Sequence, residues 1–393
     1  MDATIQNPMA ILSIFFLIII SIFQLNAHPR FGRLLKYIPP IAFAYFVPTA
    51  LTTMGILPDQ NELYGWIKTF MLPVALFLFT IALDLKAIMR LGFKAVVMMV
   101  AGTAGIVIGG PIALLIFKAW LPQDAWMGMA ALSGSWIGGG ANFVAIGQAV
   151  GASPGIMGPI IVVDTVVAST LLGVLIYFAG RHEVFDRWMK ADTSSITEVQ
   201  NKIEKFQTSV ARVSSFNDLV TIIGFAFIFT FISFYLGKLL PPIRDFVNAG
   251  TWRVILITTF GVLLSFTKAR NYEGAGASKL GNVALYLLIT TIGAQANLRG
   301  LIEYPVLILA GVTWIAVHIV ILLIVARLIR APLFFLAVGS QANVGGAASA
   351  PVVAAAFHPA LAPVGILLAI LGYVLGTYAG LITAYLLRMV AGG

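Results

Sequence analysis

Hydrophobic residues along this chain come in blocks of roughly twenty, divided by short polar stretches, not at the two- or 3.6-residue spacing of half-buried elements. The blocks are 9–26, 38–57, 66–83, 95–117, 125–150, 155–180, 216–237, 251–267, 280–296, 305–326, 332–357 and 360–387. Most reach the roughly 20 residues an α-helix needs to cross a hydrocarbon core. The pattern predicts an all-α polytopic membrane protein with a first membrane repeat (1–180), a polar linker (181–215) and a second membrane repeat (216–393).

Two blocks break the pattern. Leu132-Ser133-Gly134-Ser135-Trp136-Ile137-Gly138-Gly139-Gly140-Ala141-Asn142 and Gly339-Ser340-Gln341-Ala342-Asn343-Val344-Gly345-Gly346-Ala347-Ala348-Ser349 put small and amide-bearing residues where a membrane helix carries Leu and Ile. The backbone is expected to unwind there, which a bilayer tolerates only where the segment is buried in protein or lines a cavity. The two stretches read as halves of one transport site, with Ser135, Gly138, Gly139, Gly140, Asn142, Ser340, Gln341, Asn343, Gly345 and Gly346 as candidate substrate-binding residues. Their amides, hydroxyls and freed N–H groups suit a carboxylate, as do the helix N-termini a break creates. Close helix packing explains Gly102, Gly105 and Gly109 but not three consecutive glycines beside Asn142.

The halves resemble each other. Thr80-Ile81-Ala82 followed by Asp84-Leu85-Lys86 parallels Thr291-Ile292-Gly293 followed by Asn297-Leu298-Arg299, and the last segment of each half carries an early proline, Pro159 and Pro363. Twelve full crossings with an outer N-terminus would leave 10 of the 24 Lys and Arg on the cytoplasmic side. Turning the fifth and eleventh segments back at Gly138–Gly140 and Gly345–Gly346 raises that to 17, gathering Arg30, Arg33, Lys36, Lys86, Arg90, Lys94, six linker residues, Lys268, Arg270, Lys279, Arg327 and Arg330. Cytoplasmic loops carry the excess of Lys and Arg. The expected topology is therefore ten crossings plus two re-entrant hairpins, with the second repeat inverted relative to the first. Such a fold has both termini outside and the linker inside.

Within the linker, Ser195-Ile196-Thr197-Glu198 reads as a capping box, and Ile196, Val199, Ile203, Phe206, Val210 and Val213 recur at helical steps. An amphipathic helix lying against the bundle or the membrane surface follows; a gating lever is the alternative.

Ionisable groups inside apolar segments are functional candidates. Asp164 lies ten residues into its segment, followed by Thr165, Ser169 and Thr170, and suits proton uptake or a Na⁺ ion held by carboxylate, hydroxyl and carbonyl oxygens. A structural carboxylate bonded to a neighbouring helix is the plainer reading. Asp84, with the second-half counterparts Gln295 and Asn297, stands at a segment end and is a candidate for approaching the ions. His318 is a candidate proton shuttle or, more simply, an interhelical hydrogen bonder.

Composition agrees with the block pattern: 60% of residues are hydrophobic and 10% charged, with a mean hydropathy of +0.98. The net charge of +9 falls between the apolar blocks, so nucleic acid is not the expected partner. Zero cysteines exclude disulfides and thiolate metal sites. No basic stretch precedes Met9 and no small-residue cleavage site follows before Pro29, so a cleaved signal peptide is not expected. Gly151-Ala152-Ser153-Pro154-Gly155 matches Gly-x-Ser-x-Gly without its strand-turn-helix setting. Neither His-Glu-x-x-His nor a phosphate-binding loop occurs, which argues against a zinc protease or an ATP-driven pump, and the chain is not expected to be an enzyme.

The six-plus-six segments, cytoplasmic linker and paired breaks at Ser133–Asn142 and Gly339–Ser349 resemble the domain-of-unknown-function 819 membrane proteins of bacteria. That family looks related to the cation/proton antiporter and anion transporter superfamily. The resemblance implies a core domain holding the hairpins, a scaffold domain that forms a homodimer, and residence in the inner (cytoplasmic) membrane. Similar hairpins in citrate and glutamate sodium symporters place their tips at substrate and Na⁺, which implies that role for Gly138, Gly139, Gly140, Asn142, Asn343, Gly345 and Gly346. No arginine lies beside either tip for a di- or tricarboxylate. The expected function is ion-coupled (Na⁺ or H⁺) secondary transport of a small anionic or zwitterionic metabolite such as an amino acid, short peptide or carboxylate, with no cofactor beyond the coupling ion. Cation/proton exchange without an organic substrate is the alternative, and a channel a more distant one.

Overall fold

A computed structural model describes residues 3–28, 40–84, 88–89, 91–194, 196, 213–243, 247–295, 305–358 and 361–392. The linker capping box at Ser195–Glu198, most of its apolar repeat, and Asn297 lie outside these residues.

The first half contributes α1 (Pro8–Ala27), α2 (Pro40–Thr53), α3 (Glu62–Ile81), α4 (Phe93–Phe117), α5 (Ala125–Val150) and α6 (Pro154–Ala179). A short α7 (His182–Met189) follows. The second half contributes α8 (Phe216–Leu239), α9 (Ala249–Ser265), α10 (Ala277–Ala294), α11 (Val306–Leu328), α12 (Leu333–Val344), α13 (Gly346–Phe357) and α14 (Ala362–Ala391). Local chemistry sets several starts. Asn7 accepts from the N–H groups of Met9 and Ala10 ahead of Pro8 at the first helical position, Ser153 caps α6 before Pro154, and Ser215 with Asp218 forms a capping box on α8.

Among the described residues, α1, α3, α4, α6, α8, α10, α11 and α14 are long and apolar enough to cross a membrane. Their outer faces expose Leu17, Ile20, Phe231 and Leu328, side chains that water would disfavour and lipid accepts. The protein is a polytopic helical membrane protein.

The helices pack as two bundles. In one, α3 lies against α9 and α10, α10 against α2 and α3, and α8 against α9; in the other, α11 lies against α4, and α14 against α5 and α4. Two helix pairs, α3 with α10 and α4 with α11, run antiparallel. Lys68 Nζ at the start of α3 donates to Gln295 Oε1 just past the end of α10 at 2.9 Å, while Leu78 near the end of α3 meets Gly281 near the start of α10. Likewise Gly102 of α4 faces His318 of α11, and Gly109 faces Trp314 one turn earlier in α11.

Residues 182–192, at the start of the linker, pack against the second bundle, and Ser214, near its end, donates to the Ala275 carbonyl ahead of α10. Arg327 donates to the Met189 carbonyl at 2.7 Å, the Asp186 carboxylate accepts the Leu333 N–H at 2.7 Å, and Lys94 pairs with Asp192 at 2.8 Å.

Candidate functional site

The break in α5 is a reversal. Gly138 leaves helical geometry at φ −137°, ψ 16°, and Gly139 takes φ 72°, ψ −172°, open to glycine and strained for any other residue. The chain then folds back: a Cβ on Gly147 would lie 3.4 Å from the Cβ of Ala131. In a straight helix those residues stand about 24 Å apart. Gly134 likewise sits against the Asn142 carbonyl.

The second break follows the same logic with different residues. Gly345 ends α12 and Gly346, at φ 59°, starts α13. The two arms pack together. Ser349 Oγ on α13 donates to Gln341 Oε1 on α12 at 2.7 Å, across the turn. No side chain caps the α13 N-terminus, so its first N–H groups and their partial positive charge face whatever lies beside it.

The tips converge. Gly372 of α14 approaches the Ile137 carbonyl of the first hairpin and the Ala342 carbonyl of the second; a Cβ there would lie 2.7 Å from one and 3.2 Å from the other. Beside this meeting point is a cavity of about 370 Å³ lined by Ser135, Gly139 and Gly140 from one hairpin, Gln341, Gly345, Gly346 and Ser349 from the other, and Asp164, Thr165 and Ser169 from α6. The Asp164 carboxylate is held from two sides: Ser135 Oγ donates to it at 2.6 Å and Trp136 Nε1 at 2.9 Å. These two bonds fix the rotamer of the carboxyl group. Gln341 Nε2 is buried without a hydrogen-bond partner. Exchanging its amide atoms would move the unsatisfied atom without removing it. The cavity thus offers a fixed carboxyl group, a spare amide and two uncapped or unwound helix starts.

Four candidates serve packing. Asn142 donates to the Gly138 and Tyr373 carbonyls and accepts from Thr377 Oγ1 at 2.7 Å, tying the first tip to α14. Asn343 donates to the Met99 and Gly339 carbonyls and accepts from Thr103 Oγ1 at 2.8 Å, tying α12 to α4. Gly138 stands against Gly376. Ser340 bonds the fully buried His318, whose Nε2 lies 2.9 Å from its Oγ. His318 Nδ1 lies 2.9 Å from the Gly102 carbonyl, an acceptor only, so Nδ1 carries a proton. His318 is thereby an interhelical bonder, away from the cavity lining. Asp84 lies 3.9 Å from Arg270, and Gln295 takes the Lys68 bond; neither lines the cavity.

The structure adds residues that the sequence did not single out. Asn282 and Tyr286 of α10, Phe79 of α3 and Tyr373 of α14 line the cavity, with the Phe79 and Tyr373 rings 4.7 Å apart. Asn282, a polar residue inside an apolar block, was a legible signal; the aromatics were not. Among the described residues no group of three or more His, Asp or Glu side chains could hold a metal.

A sequence model of the family described as "Protein of unknown function (DUF819)" matches residues 13–390. The "Uncharacterized membrane protein YjcL" of Bacillus subtilis (strain 168) is 26% identical over 344 residues, covering 84% of this chain and 85% of the relative. The match spans both hairpins and every described helix from the second turn of α1 to the last turn of α14, and the chain belongs to the DUF819 family.

Proposed function

We propose that this protein is an ion-coupled secondary transporter of a small anionic or zwitterionic metabolite, working by alternating access in the cytoplasmic membrane. The observation that carries the reading is the convergence of both hairpin tips, the bonded Asp164 carboxylate and the unpartnered Gln341 amide on one cavity. About 370 Å³ is the small end of the range for metabolite sites. Helix starts at Gly140 and Gly346 would receive the substrate's negative group, while Asp164, Ser135 and Thr165 offer oxygens to Na⁺, or the carboxylate takes a proton. Antiparallel matching helices support inverted repeats, and the folded-back α5 and α12–α13 support re-entrant hairpins entering from opposite faces. On the charge count the linker would face the cytoplasm, and so would the exposed Asn282 edge of the cavity near the start of α10. The helices outside the hairpin bundle would serve as the scaffold and dimer surface.

Asp164 also favours a second reading, cation/proton exchange without an organic substrate. Purified protein in proteoliposomes separates the two. Under an imposed Na⁺ or pH gradient, uptake of labelled amino acids and carboxylates should appear with wild type and fall at least tenfold with Asp164→Asn. Gradient dissipation without uptake of any of them would favour exchange. Full uptake by the mutant would return Asp164 to a structural role.

A further inference from the structure

Among the described residues, two buried side-chain atoms lack a hydrogen-bond partner, and they fall in different cavities. One is Gln341 Nε2. The other is Nε of Arg253, a residue whose side chain lines a second cavity of about 400 Å³ bounded by α3, α8, α9 and the base of the first hairpin. Both cavities share the wall of α3: Leu76 lines this one and Phe79 the first, so about one helical turn separates them.

The second cavity is cationic. Lys68 and Arg253 both line it, and among the described residues no carboxylate does. The Arg253 guanidinium lies 4.2 Å from the Phe234 ring centroid, which fixes its plane without neutralising it. Lys68 gives one bond to Gln295 and keeps two ammonium protons. The α9 N-terminus, capped by Asn248 at Gly250 and Thr251, adds its partial positive charge from the Gly250 wall. Two like charges sharing a low-dielectric space repel, and an unpartnered guanidinium nitrogen there is costly, until an anion joins them.

We propose that this cavity binds a small organic carboxylate, with the Arg253 fork on the carboxylate and Lys68 as the second charge. Its remaining walls, Leu72, Leu76 and Ile257 among them, suit a carbon skeleton. An inorganic ion would leave most of about 400 Å³ unfilled, since one water occupies about 30 Å³. The site goes beyond the transport reading and does not require it.

Equilibrium binding tests it. Purified full-length protein in lipid nanodiscs and low-salt buffer is titrated calorimetrically with acetate, succinate and glutamate, and with phosphate and chloride. At least one carboxylate should bind saturably, weakened about tenfold or more by Arg253→Gln and about tenfold by Lys68→Gln, with Arg253→Lys between wild type and Arg253→Gln. Thermal melting confirms folding, and Lys68→Gln carries the test if Arg253→Gln does not fold. No saturable binding, unchanged affinity in the folded variants, or phosphate and chloride binding as tightly as every carboxylate would each overturn the proposal. So would affinity that falls in Gln341→Leu but not in Arg253→Gln, which would put the anion at the hairpin tips. Uptake in proteoliposomes is scored separately, so a protein that binds but does not transport refutes the transport reading and leaves this site standing.

Discussion

The two hairpins share a fold-back and differ in what covers them. The first is clamped by α14, whose Gly372 and Gly376 lie against the Ile137 and Gly138 backbone with no room for a side chain, and whose Gly380 lies close against the Ile146 side chain. The second has the cavity between itself and α6. Setting the positive-φ glycines Gly139 and Gly346 in register brings α6 residues Thr165, Ser169 and Gly173 level with those three α14 glycines. Thr165 and Ser169 face the cavity, and a Cβ on Gly173 would meet nothing within 4 Å. The same small-residue ladder is therefore packed on one side and vacant on the other. Under the transport reading, exchanging these two arrangements is the access cycle, and small residues on both helices are what permit either to close.

The largest contrast is steric. Gly376→Leu drives a side chain into the Gly138 backbone and should cost about 3 kcal/mol or more, whereas Gly173→Leu should stay within about 0.5 kcal/mol. Melting temperatures in one detergent compare them, and equal losses would break the asymmetry. Asn142→Ala and Asn343→Ala each strand several buried backbone and hydroxyl groups, so each should lose about 2–4 kcal/mol, one from each hairpin. A neutral result at either would show that its amide does not anchor its hairpin. Gln341→Leu removes the unsatisfied Nε2 together with the Oε1 that accepts from Ser349, so it should cost no more than about 1–2 kcal/mol while lowering substrate affinity in the same preparation.

The smallest effect concerns the linker. The hydrogen bond from Lys94, with help from Ser194, holds the Asp192 carboxyl at about 2, below its ordinary value. A depressed carboxyl stabilises docking above its free pKa and loses that contribution as pH falls from about 4 toward 2. Burial raises Asp186, the opposite sign, so its contribution declines as pH rises through its raised pKa. Hydrogen exchange of residues 182–192 across pH should show loosening at low pH that Asp192→Asn abolishes; exposure keeps the effect slight. An unchanged profile in the mutant would refute the pairing.

Much of this was legible in the sequence because membrane helices announce themselves by length, and Gly138–Gly140 and Gly345–Gly346 interrupt them. Asp164 stood out for the same reason, a charge in an apolar block. What the sequence withheld is which way a side chain faces. Asn142 and Asn343 look like ligand donors until their partners Thr377 and Thr103, more than 200 residues away, are in place. Lys68 and Arg253 stand 185 positions apart, and only the packing of α3 on α9 puts them in one cavity.

The central claim is that the two tips form one site open to one side. The chain has no cysteine, so single replacements report access directly. Ala348→Cys places a thiol at the exposed edge of the first cavity and Thr69→Cys one in the second. Membrane-impermeant maleimide should label Ala348→Cys in inside-out vesicles and Thr69→Cys in right-side-out cells. Labelling of Ala348→Cys from the outer face alone, or of both from the same face, would contradict the account.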